Sequence, residues 1–107
     1  MIIVFRYLVP RNYSAIALFP FIFCKNNSYR NDSILINHER IHLRQQLELL
    51  IIFFYIWYGL EYLYRLILTK NKQKAYYSIS FEKEAYKHEK NSNYLKTRPL
   101  YNFIKFI

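Results

Sequence analysis

The chain has 107 residues and a formal charge of +9, from 16 Lys and Arg against 7 Asp and Glu. A hydrophobic share of 53% and an aromatic share of 21% exclude a disordered tail. A single cysteine excludes both a disulfide framework and a cysteine-built zinc site.

The length suits one domain, residues 1–107, with one modest core. One Gly and three Pro favour long helices over a many-stranded barrel. In chain order, "IIVFRYLV" at 2–9 reads as a strand ended by Pro10. "AIALFPFIFC" at 15–24 is apolar and β-prone, and Pro20 marks it as an edge strand or a bent one. The two runs are expected to pair as a small antiparallel sheet, with Cys24 a buried thiol. The first residues lack the order of basic, apolar and small segments that a signal peptide needs, so a cytoplasmic protein is expected. "KNNSYRNDS" at 25–33 is a polar, turn-rich loop.

A helical pattern takes over at Ile34. Its first half, "LINHERIHLRQQLELL", mixes charge with leucine, and its second, "IIFFYIWYGLEYLYRLIL", is almost wholly apolar and aromatic. The uncharged part, Leu49 to Leu60, falls short of the roughly 20 apolar residues that a spanning helix needs. A buried core helix is the expectation, with Gly59 as its bend point. The other reading of this stripe is contact with a membrane surface, made peripherally on the inner membrane. "TKNKQK" at 69–74 reads as a loop, and residues 78–95 as a second amphipathic helix with Ser80 as N-cap. Pro99 ends that helix, and the apolar tail "LYNFIKFI" is expected to dock on the core. The fold class is α+β, mainly α: a short N-terminal antiparallel strand pair, a long helix and a second amphipathic helix.

The long helix carries "HERIH", the pattern H-E-x-x-H. Residues four apart share a helix face, so His38 and His42 can offer ring nitrogens to one ion. Glu39 lies about 100° round the helix, beside that ion, where it can take a proton from water. The same pentamer also occurs as a solvated helix turn. A catalytic zinc takes three protein ligands, and Glu48, six positions after His42, faces away. The third ligand is therefore sought in "FEKEAYKHE", where Glu82, Tyr86 and Glu89 form one face and Glu84 and His88 another. Interleaved lysines make a salt-bridged surface helix the plain alternative there. Nearby, Gln45 falls close to the histidine face and can orient a ring nitrogen. Asn37 can hold a substrate backbone, and Tyr76, Tyr77 and Tyr86 can donate to an oxyanion. An edge strand in 15–24 can pair with an extended peptide.

"HERIH" followed by "EKEAY" resembles the zincin-like gluzincin arrangement, H-E-x-x-H with a downstream glutamate helix. Peptidases of the membrane CAAX-endopeptidase type carry E-x-x-x-D at the downstream position. "EKEAY" matches that pattern at Glu82 and at the small Ala85, with Tyr86 where the pattern has Asp. The resemblance implies a zinc-dependent hydrolase of peptide or protein substrates. Glu82 would be the third ligand, with Glu84 as the alternative, and Tyr86 would stand where a ligand histidine is oriented. Most of the chain is also similar to a family of small, uncharacterised proteins of Bacteroidetes type, a likeness that supplies no activity.

The alternative function is a non-catalytic, basic and aromatic protein that binds an anionic membrane surface or a partner. Nucleic-acid binding is not expected, because the Lys and Arg are spread along the chain and no recognition motif accompanies them.

Overall fold

The computed structural model describes residues 2–10 and 13–107. The architecture is mainly helical, with a small sheet at the N-terminal end. β1 (Ile2–Val4), β2 (Ala15–Leu18) and β3 (Phe21–Cys24) form a mixed sheet in the order β1-β3-β2. The antiparallel pair is β2 with β3, registered Ala15 to Cys24 and Leu18 to Phe21. Both strands of that pair thus come from the single run 15–24, and Pro20 sits in the turn between them. β1 joins β3 in parallel, Ile2 beside Ile22. The strand expected over 2–9 stops at Val4, and a 3-10 turn takes Arg6–Leu8. Phe5 still bonds to the Cys24 carbonyl, but β3 ends there and offers no further ladder.

α1 (Ser33–Glu48) starts where the Asp32 carboxylate accepts the Leu35 N–H at 3.1 Å. The sheet rests on α1 through Ala15, Ile22, Cys24 and Ile36, and the Cys24 thiol is fully buried. A second tie comes from Gln46. Its Nε2 donates to the Ala17 carbonyl at 2.8 Å, and its Oε1 accepts from the Phe19 N–H at 2.8 Å. The side chain therefore pairs with β2 as a short neighbouring strand would.

The long helical pattern is two helices. The axis turns by 112° between α1 and α2 (Ile52–Thr69). Ile51 N–H bonds to the Gln46 carbonyl and Leu50 N–H to the Leu47 carbonyl, the bond pair of a Schellman end. Leu50 takes the left-handed φ of 55° that this position requires. Gly59, the expected bend point, lies within α2. Nor is α2 a buried core helix: Phe54 is its one buried residue among those described. That ring packs with Ile79, Phe81 and Phe103, while most of the helix's large apolar residues are exposed. Among the described residues no single helix is long and apolar enough to cross a membrane.

The remaining segments divide differently from expectation. Most of 69–74 is helical, because Thr69 still ends α2 and the Asn71 side chain caps α3 (Lys72–Ser78). The region 78–95 holds α4 (Ser80–His88) and the short α5 (Tyr94–Thr97). Ser80 is the first residue of α4, and its cap comes from α2. Its N–H and hydroxyl donate to the Glu61 carboxylate at 2.7 and 2.8 Å, satisfying donors a helix start leaves open. Asn37 fastens the other end of α4. Its Nδ2 lies 3.3, 2.8 and 2.9 Å from the carbonyl oxygens of His88, Glu89 and Asn91. The amide expected to hold a substrate backbone therefore closes a helix terminus instead. The tail docks through the fully buried Phe103, while Leu100, Ile104 and Ile107 stay exposed.

Candidate metal centre

α1 and α4 pack together and bring His38, His42 and Glu82 to one point. The three residues are 5%, 6% and 4% exposed. Glu82 Oε1 lies 3.1 Å from His38 Nε2 and 3.0 Å from His42 Nε2. One ligand atom from each residue falls within 4.8 Å of the others.

The outer ring nitrogens are both engaged. His38 Nδ1 is 2.8 Å from Glu89 Oε1, and His42 Nδ1 is 2.8 Å from Gln45 Oε1. Gln45 has its amide end fixed, because Nε2 donates to the Phe81 carbonyl at 3.2 Å and to Glu84 Oε1 at 2.9 Å. The carbonyl end must then face His42, so Nδ1 of that ring carries the proton. The Glu89 carboxylate fixes the same choice on His38. Both rings turn Nε2 inward, and Tyr58 donates to the second Glu82 oxygen at 2.7 Å.

Two inward nitrogens and a carboxylate oxygen at this spacing need positive charge among them. A proton on His42 supplies it, as does a cation. Zinc bonds of about 2.0–2.1 Å in a tetrahedral site put neighbouring ligand atoms about 3.3 Å apart. Glu82 Oε1 stands a few tenths of an ångström closer than this to each ring nitrogen, a difference that side-chain rotation covers. The donor set of two imidazoles and one carboxylate fits zinc, and the bonds on both Nδ1 atoms match what metal-binding histidines require.

The charge balance is visible in the acidities. Burial would raise Glu82, but His42 and His38 outweigh it and hold that carboxyl far below the usual carboxylate range. Burial opposes the charged form of His42, yet the Glu82 carboxylate prevails and pushes the ring up to about 9. Glu39 behaves oppositely: burial pushes it up to about 7, against the pull of the two rings. None of the bonds that hold the rings uses Glu39. It lines a cavity of about 640 Å³ with Ala15, Ala17, His38, His42 and Glu82.

Other expected residues go elsewhere. Glu84 is fully buried and accepts from Gln45, Tyr94 and Arg98. Two positions after Glu82, it leaves the helix on the far side and cannot join His38 and His42. Glu48 faces away from the site as expected, and pairs with Arg98 at 2.6 Å. The Tyr86 and His38 rings meet edge to face with centroids 4.4 Å apart, and the Tyr86 hydroxyl meets that of Tyr76 at 3.1 Å. The part of orienting a ligand histidine, expected of Tyr86, falls at His38 to Glu89. Tyr76 and Tyr86 line the cavity, whereas Tyr77 does not. Glu89, in the sequence one of the acids of the segment searched for a third ligand and on the Glu82 face, bonds the outer nitrogen of His38 instead, and that shared face is the signal for it. Tyr58 and Arg98 carried no such signal. The chain matches no protein-family model, no curated protein and no solved structure.

Proposed function

We propose that the chain is a zinc-dependent hydrolase of peptides, holding one zinc ion through His38, His42 and Glu82. The observation that supports this most is the convergence of His38 Nε2, His42 Nε2 and Glu82 Oε1, with both Nδ1 atoms already bonded on their outer sides. Zinc in such a place polarises a carbonyl and acidifies water. Glu39 acts as the base: it takes a proton from the attacking water and returns it to the leaving amine.

A peptide fits the cavity because the edge strand β2 forms one of its walls. Gln46 already occupies the strand at Ala17 and Phe19, so an extended substrate would pair nearer Ala15. Tyr76 and Tyr86 line the same cavity, and their hydroxyls are the donors that would meet a developing oxyanion. The cytoplasm is the setting that goes with this reading.

The test is Glu39→Gln assayed against a mixed peptide library. The variant keeps its zinc and loses hydrolysis. Equal turnover in variant and wild type removes the proposal.

A further inference from the structure

Helix α2 is turned inside out relative to a surface helix. Ile52, Ile56, Leu60, Leu63, Ile67 and Leu68 are between 53% and 72% exposed. Its acid, Glu61, points inward to Ser80. At 3.6 residues per turn, five of the six apolar residues, all but Leu68, share an arc of about 80°. An ordinary surface helix puts such a stripe on the core, and contiguous exposed apolar surface marks an interaction site.

We propose that this face lies in the interface of a membrane bearing anionic lipid, with the helix in the membrane plane. Three observations favour a bilayer over a second copy of the chain. Lys70, Lys72 and Lys74 are exposed immediately past the end of the face, where they meet anionic headgroups. Two copies, each with a formal charge of +9, bring like charge to like charge. Tyr64, an exposed ring, falls at about 120° on the same wheel, along one border of the stripe, and such a ring settles at headgroup level. The stripe, its length and its cationic end together form an interfacial anchor.

The placement also orients the molecule. Phe54 and Tyr58 leave α2 on the side away from the stripe and line the cavity. A bound chain therefore keeps His38, His42 and Glu39 on its aqueous side. The inference rests on neither zinc nor hydrolysis.

The test uses the full chain with vesicles of phosphatidylcholine, alone or mixed with phosphatidylserine. Sedimentation and the emission of the lone tryptophan are read at low and high salt. Wild type is expected to sediment with the anionic vesicles, shift its emission to the blue, and release as salt rises. Ile56→Ser, Leu60→Ser and Ile67→Ser combined are expected to abolish binding while circular dichroism stays unchanged. Lys70→Ala, Lys72→Ala and Lys74→Ala each weaken it roughly fivefold. Failure of wild type to bind either vesicle overturns the proposal. So does wild-type binding by the serine variant. Light scattering that shows a dimer dissolved by the serine substitutions, with no vesicle binding, assigns the face to self-association and also overturns it.

Discussion

Gln45 and Glu84 are joined at 2.9 Å across the contact between α1 and α4, and that bond decides which nitrogen of His42 carries its proton. Glu84 is held in turn by Arg98 and Tyr94. A buried ion pair away from the centre thereby sets the tautomer of a residue within it. The prediction is that Gln45→Met lowers zinc affinity by about ten- to a hundredfold, read by competition with a chelating dye. Unchanged affinity means that Gln45 is packing alone.

The acidity of His42 gives a pH dependence with a definite sign. Its ring is raised from 6.5 to about 9, with burial opposing and the Glu82 carboxylate prevailing. In metal-free protein the stability this contributes is fully present below 6.5, and it fades as pH climbs through about 9. A zinc ion must displace that proton, so apparent affinity rises with pH up to about 9 and each binding event releases a proton. Titration calorimetry in buffers of different ionisation enthalpy reads the proton directly. Affinity that stays flat from neutral pH upward contradicts this account.

Arg98 satisfies two buried acids, Glu84 and Glu48. Removing it leaves both carboxylates short of a charged partner inside the protein. Arg98→Met is expected to cost roughly 3–5 kcal/mol in denaturant unfolding, the scale for a broken buried pair. A loss under about 1 kcal/mol, the scale of an exposed pair, places the cluster in solvent-like surroundings.

The helix-bearing half of the chain, "HERIH" on its helix and the group of Glu82, Tyr86 and Glu89 were legible in the sequence. Helical spacing translates directly into shared faces. The break after α1 was not legible. It falls at Leu49, Leu50 and Ile51, where no glycine or proline announces it; the local bonds to Gln46 and Leu47 that close the helix need a left-handed backbone at Leu50, which a leucine does not signal. For the same reason Gly59 misled, since glycine permits a bend without requiring one. The exposure of α2 was hidden because an apolar run spells burial and interface contact in the same letters. Glu84 is claimed by Arg98, a partner from beyond its own helix that helical spacing does not reveal.

Leu50 occupies a Schellman position that glycine fills without strain, and its side chain is 72% exposed. Leu50→Gly therefore relieves the left-handed backbone while removing little packing. A gain of about 1 kcal/mol is expected by urea unfolding. A loss of similar size shows that the break between α1 and α2 is not built this way.

The most direct measurement is the zinc content of protein purified without chelator, read by mass spectrometry of the metal. One zinc ion per chain is predicted for wild type and for Glu39→Gln, and none for His42→Ala or Glu82→Ala. Wild type without zinc after incubation with the ion, or His42→Ala with a full complement, contradicts the metal centre.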